Sequence, residues 1–157
     1  MTLKIELKEQ KLQPTLSIRT RTTLEELPNK IKESYIKIAN YLNELGEKPT
    51  NAPFTAYYNL DMQDMDVEMG FPVVKALPGK DDVLAGEIPA GYVVSCLYKG
   101  AYSGMESVYN DMFNWIARNN YKSTGIYYEY YFNSPAEASE NELLTRIDLP
   151  VEISNRN

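Results

Sequence analysis

The chain has 157 residues, with 22 acidic side chains against 16 basic ones and a formal net charge of −6. That balance opposes non-specific binding to DNA or RNA, which needs a basic face. There is no histidine and a single cysteine, which removes Ser/His/Asp and Cys/His catalysis, the usual zinc sites and any internal disulfide.

The first residues, MTLKIELKEQKLQ, are charged throughout and lack the apolar centre of a signal peptide. Leu3, Ile5 and Leu7 alternate with polar residues, the pattern of a half-buried strand. Leu16 and Ile18 carry strand character to about Arg21, with a break near Pro14. Thr23-Leu-Glu-Glu26 reads as a capping box. Ile31, Tyr35, Ile38, Leu42 and Leu45 then fall in steps of three and four, one face of an amphipathic helix. Gly46 and Pro49 are its stop signals. Strands are expected at about 54–59 and 66–74, joined by the acidic turn of residues 60–65. Turn-forming Pro78-Gly-Lys-Asp-Asp82 precedes a linking strand over 83–89.

The same order then returns. Residues 92–98 read as a strand, and Ser103-Gly-Met-Glu106 as a second capping box. Met105, Val108, Tyr109, Met112 and Ile116 form a helical stripe with Trp115 beside it. Gly125 opens a strand over 126–132, residues 133–140 loop, and a last strand covers 142–151. Gly70-Phe-Pro-Val73 is echoed by Asp148-Leu-Pro-Val151, and Phe54-Thr-Ala-Tyr-Tyr58 by Tyr127-Tyr-Glu-Tyr-Tyr131. The expectation is an α+β domain over residues 1–157, a tandem β-α-β-β duplication with antiparallel sheets. The repeats would cover about 1–77 and 78–157, with a ligand pocket between the halves. No apolar run approaches the roughly 20 residues of a membrane span, so the chain reads as cytoplasmic.

The strand over 126–132 is the most informative segment. Side chains alternate along a strand, so Tyr127, Glu129 and Tyr131 share one face and Tyr128, Tyr130 and Phe132 the other. An acid among phenol rings is costly to desolvate unless something positive or hydrogen-bonding meets it. If that face lines a pocket, its natural guest is a flat, apolar cation, drawn by the rings and neutralised by the carboxylate. The alternative is a sheet with Glu129 on its wet face. The abundance of tyrosine, 13 residues against four phenylalanines and one tryptophan, suits a surface that is apolar in body and polar at its tips.

Other groupings carry less. Asp61, Asp64 and Asp66 lack the spacing of an EF-hand loop and read as a solvated turn. Asp81 and Asp82 read the same way. Glu68 is expected to be structural, paired with a base. Cys96, amid Val and Tyr, reads as a small apolar filler. The glycines at 70, 79, 86 and 91 form no phosphate-binding loop.

The order of Phe54-Thr-Ala-Tyr-Tyr58, Asp66-Val-Glu-Met-Gly-Phe-Pro-Val73, Ile88-Pro-Ala-Gly-Tyr92, Lys99-Gly-Ala-Tyr102, the Glu129-x-Tyr131 pair and Glu142-Leu-Leu-Thr-Arg-Ile-Asp-Leu-Pro-Val151 resembles the GyrI-like small-molecule-binding domain, also called the AraC-type effector-binding domain. The resemblance implies a duplicated, SHS2-like fold with a central pocket. It also implies a glutamate at the position of Glu129 that meets lipophilic cations amid aromatic residues. Two positions depart from the family pattern: Tyr98 stands where a histidine is common, and Gly100-Ala-Tyr102 where Gly-Pro-Tyr is common. Both bear on ligand identity. With its first repeat beginning within about twenty residues, the chain reads as the stand-alone form.

The site expected from these readings has Glu129 as charge partner, with Tyr57, Tyr98, Trp115, Tyr127 and Tyr131 around it. Phe71 and Met69 are weaker candidates, one of them expected to point away. Trp115 belongs either to this site or to the helix core. The expected ligand is a lipophilic, cationic or aromatic small molecule, bound for sensing or sequestration, with no metal, cofactor, nucleic acid or membrane involved. Two other readings stay open. One is a cofactor-free hydrolase of reactive compounds, with Glu129 as general acid or base and Tyr57 or Tyr127 steadying a developing oxyanion. The other is an interaction module acting on a protein partner such as gyrase or a transcription regulator.

Overall fold

The alternating and the three–four patterns fold into nine strands and two helices in a computed structural model that describes residues 3–154. In chain order these are β1 (Ile5–Gln10), β2 (Gln13–Thr22), α1 (Leu27–Leu45), β3 (Phe54–Tyr57), β4 (Met65–Pro72), β5 (Leu84–Ile88), β6 (Gly91–Lys99), α2 (Met105–Arg118), β7 (Tyr121–Ser123), β8 (Tyr127–Tyr131) and β9 (Leu144–Ile153). Two compact units share the chain. One takes residues 11–90; the other takes the residues up to 10 and those from 91 onward.

The unit of residues 11–90 is a β-α-β-β motif with a fourth strand added. Its antiparallel order is β3-β4-β2-β5. The linking strand expected over 83–89 is therefore an edge strand on β2. One side of this sheet carries Leu16, Ile18, Val67 and Met69, all under 10 % exposed, and α1 lays Leu27, Ile38 and Leu42 against it. Each such side chain contributes about 1.5–3 kcal/mol by leaving water. Gly46, at φ +71°, ends α1 by donating its N–H to the carbonyls of Leu42 and Asn43, a conformation glycine adopts without a Cβ clash.

The other unit repeats this plan. Its order is β8-β9-β6-β1, so β9 sits centrally as β4 does, and the short strand β7 also pairs with β9. β1 thus joins the second β-α-β-β motif, as the partner of β6. The core comprises Val94, Cys96, Met105, Val108, Met112, Ile116, Ile147, Leu149 and Val151, with Leu3, Ile5 and Leu7 packed on it. Burial pushes the Cys96 thiol up, helped by the charge of Asp111; the thiol is a core group. β7 had no sequence signal, because three residues are too few to show a period.

The capping boxes are corrected. Thr23 Oγ1 accepts the N–H of Glu26 at 3.2 Å, but in a turn before the helix, which starts at Leu27 without a side-chain cap and with Pro28 in its first turn. Ser103 lies inside a single 3-10 turn, Tyr102–Gly104, and Gly104 precedes α2 without capping it.

Glu68 is paired with hydroxyls, not with a base. It accepts from Ser17 Oγ and Tyr58 Oη, both at 2.5 Å. The nearby guanidinium of Arg19 instead forms a two-bond pair with Asp66 at 2.8 and 2.9 Å and stands 3.8 Å above the Tyr58 ring. On the corresponding face of the other sheet, Ser95 Oγ donates to Asp148 Oδ1 at 2.6 Å, and Arg146 stacks over Tyr130 at 4.2 Å. Among the described residues no helix is long and apolar enough to cross a membrane.

Candidate functional site

Gly125, at φ +91°, turns the chain from β7 into β8, and its N–H is held by Ser123 Oγ at 3.1 Å. β8 then pairs with β9 so that Glu129 lies opposite Ile147 and Tyr131 opposite Thr145. Ile147 is fully buried in the core that α2 covers. Alternation therefore puts Tyr127, Glu129 and Tyr131 on the side of the sheet that faces α2, and buries Tyr128 and Tyr130 on the other.

The carboxylate of Glu129 is half-buried and accepts two phenol hydroxyls. Tyr109 Oη of α2 donates to Oε2 at 2.5 Å, and Tyr131 Oη donates to Oε1 at 2.6 Å. Hydrogen bonds to an ionised acceptor are short and about twice as strong as neutral ones. Aromatic rings flank this pair. Tyr127 meets Tyr109 at 6.0 Å and Phe113 at 5.6 Å, both edge to face. Tyr102 leans on Tyr131 at 6.2 Å, also edge to face. Burial, and then the charge of Glu129, push the Tyr102 phenol up. The site is thus a carboxylate ringed by π faces, able to take a positive, apolar guest.

Of the expected residues, Glu129, Tyr127 and Tyr131 come together. Tyr98 packs on the core of the same unit, and its hydroxyl donates to the Ala101 carbonyl at 2.8 Å, so it braces the turn before α2. Trp115 stacks on Tyr121 of β7, with centroids 6.4 Å apart and planes 10° from parallel. Helical periodicity puts Trp115 on one flank of the buried stripe and Tyr109 and Phe113 on the other. Tyr57 packs in the first unit on Leu27, Met65, Val67 and Met69. Phe71 packs there too, 5.5 Å from Tyr35. Phe71 and Met69 are two residues apart and share a face, which corrects the expectation that one points away.

The structure also corrects the alignment of the two repeats by one residue. Ser17 pairs with Gly70 as Ser95 pairs with Asp148, and Thr55 pairs with Met69 as Glu129 pairs with Ile147. Thr55, not a tyrosine, is therefore the counterpart of Glu129, and Tyr57 is the counterpart of Tyr131. A slip of one residue exchanges the two faces of a strand. Tyr35 of α1 meets Thr55 Oγ1 at 3.0 Å, just as Tyr109 of α2 meets Glu129. Duplication has kept a helix tyrosine reaching the sheet, and the second copy alone has a carboxylate there. Tyr102, Tyr109 and Phe113 were missed as site residues. The spacing of Tyr109 in the α2 stripe marks it as core, and only the pairing of β8 with β9 brings Glu129 beneath it.

The fold is shared with solved structures. EcmrR in the EcmrR–DNA complex matches with a TM-score of 0.82 and 23 % identity, over 96 % of this chain and 58 % of that one. The chain thus spans little more than half of that EcmrR chain, and it covers 99 % of the isolated EcmrR C-terminal domain, with a TM-score of 0.73 and 22 % identity over 98 % of its own length. A hydrolase from Listeria innocua matches with a TM-score of 0.71 and 14 % identity, over 95 % of this chain and 92 % of that one. SAV2435 bound to tetraphenylphosphonium matches with a TM-score of 0.67 and 9 % identity, over 95 % and 94 %. At these identities the likeness is one of fold. No curated protein matches the chain in sequence. Residues 3–152 match the model of the GyrI-like small molecule binding domain, and the chain belongs to that family.

Proposed function

We propose that this GyrI-like domain binds lipophilic organic cations, with Glu129 as the counter-charge and Tyr102, Tyr109, Phe113, Tyr127 and Tyr131 as the aromatic wall. The observation that carries the reading is the half-buried carboxylate held by two phenol hydroxyls and flanked by edge-to-face rings. A cation entering there exchanges water for ring faces and a fixed negative charge. The tetraphenylphosphonium bound by SAV2435, which shares the fold, has this chemistry. The role is sensing or sequestration in the cytosol, without direct contact to duplex DNA, in keeping with the net charge of −6. Fluorescence titration with lipophilic cationic dyes tests it: saturable micromolar binding in the wild type that is lost in Glu129→Gln is expected. Absence of binding to every dye would refute it.

The hydrolase reading rests on the 2.5 Å contact of Tyr109 Oη with Glu129, an acid–base pair within proton-transfer reach, and on the fold shared with the Listeria innocua hydrolase. It predicts turnover: the mass of a strained electrophile changes over many cycles with the wild type and not with Glu129→Gln. Stoichiometric capture without turnover would exclude it.

A further inference from the structure

Thr145 is a second polar group on the floor of the Glu129 site. It is 1 % exposed, and its Oγ1 is buried without a hydrogen-bond partner. A buried hydroxyl left unpaired costs free energy, so its presence asks for a reason. β9 pairs with strands on both sides at this position. Thr145 lies directly opposite Tyr131 of β8 and directly opposite Tyr98 of β6. It shares the α2-facing side with Ile147, and therefore with Glu129.

Both neighbouring phenols are engaged elsewhere. Tyr98 Oη is held by the Ala101 carbonyl and Tyr131 Oη by Glu129 Oε1. Tyr98 is fixed under its turn, where an added Cβ on Gly104 would meet its hydroxyl at 2.2 Å. Tyr131 is the movable cover, because it leans only edge-on against the exposed ring of Tyr102. Turning Tyr131 aside releases Glu129 Oε1 and uncovers Thr145 in one motion. Glu129 and Thr145 are diagonal cross-strand neighbours, roughly 7–8 Å apart at the backbone. A cation seated on Glu129 would then meet the free hydroxyl about one aromatic ring away.

We infer that Thr145 is a specificity-determining residue of the Glu129 site, selecting lipophilic cations that carry a hydroxyl or similar hydrogen-bonding group one aryl ring from the charged centre. This rests on the cation-binding reading of Glu129 and adds a neutral polar subsite to it.

The test compares tetraphenylphosphonium with (4-hydroxyphenyl)triphenylphosphonium by calorimetry, at a mildly acidic pH that keeps the phenol protonated. One new hydrogen bond should make the hydroxylated probe bind the wild type about fivefold tighter. That ratio should fall to about one in Thr145→Val and be kept in Thr145→Ser. Without ligand, Thr145→Val should melt at the same temperature as the wild type or higher, since it removes an unpaired buried hydroxyl. A ratio near one in the wild type, an equal ratio in the Val variant, or a Val variant that melts lower or fails to fold would each overturn the inference while leaving cation binding by Glu129 intact. Failure of both probes to bind the wild type would overturn the cation-binding reading itself, and this inference with it.

Discussion

Glu129→Gln keeps the shape of the side chain and removes one unit of charge. The amide oxygen still accepts from one of the two phenols that now donate to the carboxylate, Tyr109 or Tyr131, so the fold should survive the change. A phosphonium centre shielded by its phenyl rings approaches a carboxylate to roughly 5 Å, which at an effective dielectric constant near 20 is an attraction of about 3 kcal/mol. Desolvation of the half-buried acid offsets part of this, leaving a net loss of about 1–3 kcal/mol for a cation. Tetraphenylphosphonium and tetraphenylborate have the same shape and opposite charge. Calorimetric titration of both, on wild type and variant, isolates the charge from the ring contacts. The wild type should prefer the phosphonium strongly, and Glu129→Gln should narrow that preference by at least about tenfold, or 1.4 kcal/mol. Equal weakening of both ions, or an unchanged preference, would show that Glu129 supports the site by structure and is not its counter-charge.

Tyr109→Phe removes the phenol that donates to Glu129 at 2.5 Å, and should lower stability in urea by about 1–2 kcal/mol, the loss of a hydrogen bond to a charged, partly buried acceptor; no change in midpoint would mean that water replaces it. Trp115→Phe should alter cation affinity less than about twofold, because the indole stacks on Tyr121 on the opposite flank of α2; a tenfold loss would return Trp115 to the site. Burial and the charge of Asp148 push the Tyr130 phenol up. The folded state therefore holds this proton more tightly than the unfolded chain, and the stability it contributes is complete below pH of about 10 and is lost as pH rises further, at up to about 1.4 kcal/mol per pH unit. Urea midpoints measured through the alkaline range should fall less steeply in Tyr130→Phe than in the wild type, and parallel slopes would refute this.

Much of the fold was legible because it rests on local periods. The stripe Ile31, Tyr35, Ile38 and Leu42 and its repeat Met105, Tyr109, Met112 and Ile116 state two helices, and they became α1 and α2. The motif order also named the family, and family membership carries the β-α-β-β plan. In the site, alternation alone put Tyr127, Glu129 and Tyr131 on one face, as they are found.

Facts of pairing were out of reach. Nothing local says that β1 joins β6, or that a three-residue strand forms beside β9. The echo between the two tyrosine-rich strands looked aligned by composition, yet cross-strand register set Thr55 and not a tyrosine against Glu129. Trp115 and Phe113 are two residues apart and meet different neighbours, since a helix turns through more than half a circle between them. The sequence by itself determined the elements, the duplication and the acid on an aromatic strand, because these follow from the spacing of side chains along one chain. Only the tertiary structure decided which phenols hold that acid, and that Thr145 lies buried and unpaired beside them, because those depend on strand register and on the helix laid across the sheet.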